Sequence, residues 1–158
     1  MANDMEFKVE DARLIFRNFS GQGSQYNREG DRNFAVVLDH ETAEQMLADG
    51  WNVKYREPRD DGDEPLAFVS VAVNFKGRHP RVVLLTSGNR TQLDEKTVGV
   101  VDQVDIETAD LICRGYQWEM NGKSGVKAYL QTLFVTIRED DLERKYNINA
   151  HPPSSSED

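Results

Sequence analysis

The chain has 158 residues and a formal net charge of −9, with 38% hydrophobic and 30% charged residues. This is the length of one domain with a continuous core, and the composition is that of a soluble globular protein. Apolar runs such as Val98–Val101 are far too short to span a bilayer, and Met1–Glu10 carries acids where a signal peptide would be apolar. Because Cys113 is the only cysteine, no internal disulfide is expected, which fits a cytoplasmic protein.

The negative charge is concentrated in two stretches. Glu57–Glu64 has a net charge of −4 and Arg138–Asp158 a net charge of −3. By contrast, Lys76–Arg81 (KGRHPR) contains basic residues and no acid. The total charge argues against indiscriminate binding to nucleic acid, but affinity comes from local patches, so binding through a basic patch stays open.

The first part of the chain alternates between strand and loop signals. It predicts a long strand over Met5–Phe19, a loop over Ser20–Arg32 and a short apolar strand over Asn33–Leu38. A helix over His40–Ala48 and an alternating strand over Trp51–Arg56 follow. Asp39 is the expected N-cap of the helix, and Gly50 follows its C-terminus. In the first strand, Leu14 and Phe16 alternate with Arg17, so the arginine is expected on the face opposite the apolar residues.

The second part predicts more strands and one long hairpin. We expect two strands joined by the basic turn, over Leu66–Phe75 and Arg81–Ser87, and then a short helix over Asp94–Gln103. The two hairpin strands are expected over Thr108–Met120 and Ser124–Ile137. A charged helix over Glu139–Tyr146 and a polar, disordered tail over Asn147–Asp158 follow. Six or seven strands with few helices indicate a small barrel or sandwich, so we expect one β domain over residues 1–146 and a tail over 147–158.

The dipeptide Asn121-Gly122 is the strongest local signal in the chain, because it favours a two-residue hairpin turn. Such a turn places Trp118 opposite Gly125, and strand alternation then collects six residues on one face: Arg114, Tyr116, Trp118, Gly125, Lys127 and Tyr129. The opposite face holds the small or apolar Cys113, Gly115, Val126, Ala128 and Leu130. With glycine as its neighbour, the indole face of Trp118 is expected to be uncovered. A longer turn through Lys123-Ser124 would shift the register by one residue and exchange the faces.

This combination of aromatic rings and cations suits single-stranded nucleic acid, since rings stack on bases and cations neutralise phosphates. Contact with a second subunit, or packing against another part of the chain, would explain the same residues. Trp51 follows a helix end and is expected in the core, whereas Arg13 and Arg17 either line a groove or are solvated. The candidate nucleic-acid contacts beyond the hairpin face are Arg13, Arg17, Tyr26, Arg32, Lys54, Arg56, Lys76, Arg78, Arg81 and Lys123.

Five stretches form an ordered set that runs from about Phe7 to Tyr146: Ala12–Gly21, Tyr26–Phe34, Asp49–Lys54, Asp105–Trp118 and Asn121–Tyr129. Together they resemble a family of small phage-encoded single-stranded-DNA-binding proteins. The resemblance implies a mainly-β, OB-fold-like five-stranded β-barrel with extra strands and two or three short helices. It also implies cooperative coating of single-stranded DNA in replication or recombination, and an acidic tail that contacts replication partners. Related tails often end in an aromatic residue, whereas this one ends in Ser156-Glu157-Asp158.

No pattern in the chain predicts catalysis, a metal or a cofactor. His40, His79 and His151 lie far apart, and neither HExxH nor CxxC occurs. The acidic stretch Asp60–Glu64 lacks the ligand spacing of an EF-hand, and Gly21–Gly23 has no phosphate-binding lysine. The hypothesis that competes with DNA binding is therefore an assembly module, such as a homodimer, that uses the same aromatic hairpin face.

Overall fold

The alternating segments of the chain become nine strands in the computed structural model, which describes residues 5–25, 27–57, 62 and 64–139. The strands are β1 (Met5–Val9), β2 (Leu14–Asn18), β3 (Arg32–Leu38), β4 (Val53–Arg56), β5 (Leu66–Val73), β6 (Arg81–Leu85), β7 (Arg90–Leu93), β8 (Ile106–Met120) and β9 (Lys123–Ile137). Helix α1 spans His40–Ala48, and a 3₁₀ helix spans Val98–Asp102. The predicted helix over Glu139–Tyr146 and the tail lie outside the described residues.

All nine strands belong to one sheet, so the prediction of a mainly-β, OB-fold-like domain is confirmed. Its main path runs β1-β8-β9-β5-β3-β2, with β4 beside β5 and with β6 joining β9 to β7. In the part of the chain that the structure describes, no ladder closes the sheet between β1 and β2. These two strands are consecutive in the chain, however, so residues 10–13 link the two ends of the path.

The predicted single strand over Met5–Phe19 is wrong, because the chain bends between β1 and β2. Asp11 has a left-handed backbone (φ 53°), and its N–H donates to Asp110 Oδ1 at 2.7 Å. The next N–H, of Ala12, donates to the carbonyl of Ala109 at 2.7 Å. The bend allows β1 to pair with β8 while β2 pairs with β3.

The two strands joined by the basic turn, β5 and β6, do not pair with each other. Both strands instead run parallel to β9, where Val71 pairs with Ala128 and Arg81 with Thr132. The basic segment between them carries the chain onward along the edge of β9 rather than turning it back. Of the predicted helix over Asp94–Gln103, only the 3₁₀ segment is helical, and the preceding strand β7 was not predicted.

The core lies under α1 and the inner faces of the strands. Trp51, which is 4% exposed, meets Phe7 edge-to-face with 5.1 Å between ring centroids. A Cβ on Gly115 would come within 2.6 Å of the Trp51 ring, so the indole sits directly on this glycine. The interpretation of Trp51 as a core residue is therefore confirmed. Cys113 is buried, and burial raises the pKa of its thiol well above the usual value, which leaves it unreactive.

Helix α1 begins and ends where the sequence predicts. The side chain of Asp39 accepts a hydrogen bond from the Thr42 backbone N–H at 2.7 Å, and these Thr42 contacts lower the pKa of Asp39. Gly50 follows the helix with φ at 97°, a left-handed conformation that glycine adopts without strain. Ala43 and Met46 are the buried residues of the helix.

We expect Asp39→Ala to lower the melting temperature by roughly 2–4 °C at neutral pH, since an N-cap is lost. Asp39→Asn should retain most of the stability, because asparagine caps helices equally well. A carboxylate with a lowered pKa stabilises the fold above its unfolded pKa, so the deficit of the alanine variant should shrink as pH falls below about 3.8. Thermal melts of the three proteins between pH 7 and pH 3 test this; a deficit independent of pH would contradict it.

Candidate nucleic-acid interface

The hairpin of β8 and β9 has the register predicted from its turn. Trp118 pairs with Gly125, Tyr116 with Lys127, and Arg114 with Tyr129. Asn121 and Gly122 both have positive φ (51° and 81°), as a type I′ turn requires. The one-residue slip that would exchange the two faces therefore does not occur.

The two faces of the hairpin differ as predicted. The five residues of the predicted apolar face are all buried in the core: Cys113, Gly115, Val126, Ala128 and Leu130. The other face, called the aromatic face below, comprises Arg114, Tyr116, Trp118, Gly125, Lys127 and Tyr129. Two cations meet one ring there, with Lys127 Nζ at 5.2 Å and Arg114 Cζ at 5.6 Å from the centroid of Tyr129.

Trp118 is half-exposed, and its indole lies against the backbone of Gly125. A Cβ at Gly125 would come within 3.0–3.1 Å of three indole atoms, among them Nε1. The expectation of an uncovered indole is therefore wrong in part, because the ring rests on the glycine while 39% of the residue's surface stays exposed. The absent side chain at Gly125 leaves the space that the Trp118 ring occupies beside the strand.

The far end of the hairpin, residues 116–125, projects from the rest of the sheet and is called the arm. Every residue from Tyr116 to Ser124 is exposed, on both faces. The described part of β1 pairs with β8 only as far as Gly115, and the Val126 N–H donates to the carbonyl of Gly50 at 2.9 Å at the arm's base. The arm therefore has side chains accessible from both sides.

An open cavity of about 430 Å³ lies between the arm and the end of α1. Its lining includes Trp118 and Gly125, but also the carboxylates of Asp49 and Glu119. These acids would repel phosphate. The cavity is therefore a poor site for a nucleic-acid backbone.

A second cation–aromatic cluster lies further along β9. Ile112 pairs with Thr132 whereas Cys113 pairs with Leu130, so Gln131 is an extra residue in β9. This bulge places Phe134 on the same outer surface as Tyr129. The guanidinium carbons of Arg81 and Arg90 lie 5.4 and 5.6 Å from the Phe134 ring centroid. Arg90 and Phe134 were missed by the sequence reasoning, because alternation counted from the turn assigns Phe134 to the inner face.

A third cluster lies beside β5. Ala72 pairs with Tyr129, and alternation along β5 puts Phe68 on the same surface, four residues or about 13 Å further on. Lys54 pairs with Phe68 in the neighbouring strand. Phe16 packs its ring against Phe68 edge-to-face, with 5.5 Å between centroids. The register thus connects the hairpin and the predicted cations of β4 through one outer surface.

Two predicted contacts have partners inside the protein. Arg17 Nη1 donates to the carbonyls of Val101 and Val104 at 2.8 and 2.9 Å, which ties β2 to the 3₁₀ helix. Arg32 Nη2 donates to the carbonyl of Glu95 at 3.3 Å, and its guanidinium lies 5.7 Å from the Phe75 ring centroid. Both side chains have structural roles that compete with contact to phosphate.

The other predicted cations differ in their settings. Arg13, Lys76, Arg78 and Lys123 are exposed, the last of them next to the hairpin turn, and Arg56 Cζ lies 5.8 Å from the Phe16 ring centroid. Tyr26 lies outside the described residues. Within the described part of β1, Glu6 brings an acid to the border of the aromatic face, because it pairs in register with Arg114.

The described residues contain no group of three or more His, Cys, Asp or Glu side chains arranged to hold a metal ion. Within the same part of the chain, no helix is long and apolar enough to cross a membrane.

Residues 2–158 match the family described as "putative phage ssDNA-binding domain". Comparison with curated proteins gave no significant match.

Solved structures of one phage protein have a similar fold. The single-stranded DNA-binding protein from bacteriophage Enc34, in its C-terminal truncation, has a TM-score of 0.54 and 11% identity over 85% of this chain and 87% of that one. A second structure of the Enc34 protein has a TM-score of 0.54 and 9% identity, over 85% of this chain and 82% of that one. The structure of the Enc34 protein in complex with single-stranded DNA has a TM-score of 0.50 and 15% identity, over 86% of this chain and 87% of that one. At these low sequence identities, the structural similarity shows a shared fold.

Proposed function

Because this chain belongs to the phage single-stranded-DNA-binding domain family, we propose that it binds single-stranded DNA without sequence preference and protects it during phage DNA replication or recombination. The proposal places the protein in the cytoplasm of a bacterial host and gives it no catalytic role. The similar fold of the Enc34 protein, which has been solved in complex with single-stranded DNA, supports this function.

One observation carries the assignment of the site. The aromatic face presents three rings beside two cations on one hairpin, with Arg114 and Tyr129 over the core and with Tyr116 and Trp118 on the exposed arm. Rings of this kind stack on any base, because every base has a π-face, and cations neutralise the phosphates between them. Neither contact reads a base edge, so binding would be independent of sequence.

The setting of Arg114 supports a contact with phosphate. Its guanidinium carbon lies 5.6 Å and Lys127 Nζ lies 5.2 Å from the centroid of the Tyr129 ring, so two cations lie beside one ring. A guanidinium binds phosphate oxygens with charge-assisted hydrogen bonds. We therefore propose that Arg114 and Lys127 contact adjacent phosphates while Tyr129 lies between them.

The same reasoning ranks the other cations. Lys54, Arg56 and Arg81 belong to the proposed path because they lie beside rings of the outer surface. The exposed Arg13, Lys76, Arg78 and Lys123 are secondary candidates. For the tail, residues 147–158, we propose that its acids contact replication or recombination proteins.

Titration of oligo(dT) and of duplex DNA, followed by tryptophan fluorescence at several salt concentrations, tests this function. We expect the single strand to bind more tightly, since stacking needs exposed bases, and log affinity to fall linearly with log salt. Lys127→Ala should reduce the magnitude of that slope by about 0.7, the contribution of one phosphate on a single strand.

Lys96→Ala is the matched control, because Lys96 is exposed but lies outside the aromatic face. Its salt slope should equal that of the wild type. Equal affinity for duplex and single strand at moderate salt would contradict the function. A wild-type slope in the Lys127 variant would remove this residue from the path.

The exposed arm also favours a second candidate function, assembly through the same face. Tyr116, Trp118 and Met120 are all exposed at the end of the arm, and such a row of apolar residues suits a partner subunit. This alternative predicts association that responds little to salt and a mass in solution above that of a monomer.

A further inference from the structure

Phe16 combines two unfavourable features, a left-handed backbone conformation and a large apolar side chain exposed to solvent. Three described residues other than glycine have positive φ: Asp11, Phe16 and Asn121. Aspartate and asparagine tolerate this left-handed region, whereas a bulky phenylalanine is a genuine outlier there. Strain of this kind persists where the surrounding structure enforces it, and it occurs preferentially at functional sites.

The strain has an identifiable origin in the pairing of β2. Ile15 pairs with Ala35 but Asn18 pairs with Asn33, so the register breaks across Phe16. The break reverses the pattern expected from the sequence, because Arg17 bonds to carbonyls of the protein while the phenylalanine ring is turned outward. In this way the bulge orients one side chain toward solvent.

Burial does not compensate for this strain. Phe16 is 54% exposed, and the described structure holds its ring by an edge-to-face contact with Phe68. Arg56 lies 5.8 Å from the ring centroid, and Lys54 pairs with Phe68 in the adjacent strand. An exposed ring that contacts a second ring, with Arg56 beside the first and Lys54 in register with the second, repeats the composition of the aromatic face on another part of the same outer surface.

We propose that Phe16 is a nucleobase-stacking platform, a second base subsite supported by Phe68 and served by Arg56 and Lys54 as phosphate contacts. This inference rests on the proposed binding of single-stranded DNA and extends it. The strand would cross from the arm, past Lys54, to the β2 bulge. The ligand of the subsite is a single unpaired base of any identity.

Three variants test the subsite by affinity for oligo(dT) and for an abasic oligonucleotide of the same length. Phe16→Leu keeps an apolar side chain without a π-face, and Phe16→Gly removes the side chain and relieves the backbone strain. We expect both to bind oligo(dT) roughly five-fold to a hundred-fold more weakly, the range for one lost stack, and to bind the abasic strand like the wild type. Phe16→Tyr should bind oligo(dT) like the wild type.

Stability and a matched control separate the subsite from a structural role. The melting temperature of Phe16→Gly should equal or exceed that of the wild type, because glycine accepts positive φ. Leu47→Ala, which removes an equally exposed apolar side chain from α1, should leave both affinities unchanged.

Two results would overturn the subsite alone, and a third would overturn the proposed function as well. Wild-type affinity of the leucine and glycine variants for oligo(dT) would overturn the subsite while the proposed function stands. An equal loss on the abasic strand would also overturn it, since no base is there to stack. Failure of the wild-type protein itself to prefer oligo(dT) over duplex would overturn the proposed function, and the subsite with it.

Discussion

Trp51→Ala is expected to lower the free energy of unfolding by about 3–5 kcal/mol, the usual loss for a large aromatic residue replaced in a core. The indole is almost completely buried, meets Phe7 edge-to-face and rests on Gly115. Small domains are stable by only about 5–15 kcal/mol, so this variant should lie close to unfolding at physiological temperature.

Urea denaturation followed by far-ultraviolet circular dichroism measures this loss. Trp51→Phe is the matched variant, because it keeps a ring over Gly115, and it should recover much of the stability. DNA affinity of Trp51→Ala, measured at a temperature where the variant is folded, should be close to that of the wild type. Full stability in the alanine variant would show that Trp51 is not part of the core.

The comparison of the two tryptophans shows why some of the site follows from the sequence. The Asn121-Gly122 turn fixes the hairpin register locally, and alternation then assigns every side chain within a few residues of it to a face. The faces of Trp118 and of the buried hairpin residues therefore follow from the sequence. The cap of α1 is local in the same sense, since Asp39 and Thr42 are three residues apart.

Elsewhere, single extra residues in a strand and partners distant in the sequence decide which face a side chain occupies. The bulge at Gln131 moves Phe134 to the outer surface, and the register break in β2 turns Phe16 outward. Periodicity carries no signal for either, because each bulge depends on the strand opposite. Arg17 was predicted either to line a groove or to be solvated, because its acceptors, Val101 and Val104, are more than 80 positions away in the chain and leave no local signal.

The parallel pairing of β5 and β6 with β9 has the same kind of cause. A turn such as Lys76–Arg81 reads locally as a hairpin connection, yet the edge of β9 offers each strand a longer-range partner. This pairing shapes the proposed site, because it brings Ala72 beside Tyr129 and Arg81 beside Phe134. The outer surface is therefore assembled from segments that local reasoning could list but not join.

Trp118→Ala and Tyr116→Ala should each weaken binding to oligo(dT) by about 1–3 kcal/mol, the usual cost of a lost base stack. Both residues lie on the arm, outside the core, so the melting temperature should change little. Met120→Ala is the matched control, because Met120 is the most exposed large hydrophobic residue of the arm but has no π-face, and its variant should bind almost normally.

Melting temperature, affinity and mass in solution, all measured on the same Trp118→Ala sample, separate the three roles this ring can have. Lost affinity with unchanged stability identifies a stacking platform. A dimer contact would instead lower the apparent mass toward that of a monomer while the domain stays folded. Loss of several kcal/mol of stability would identify a core residue, as expected for Trp51. The position of Trp118 on Gly125 favours the first outcome, because the glycine holds one side of the ring and leaves 39% of the residue's surface available to a base.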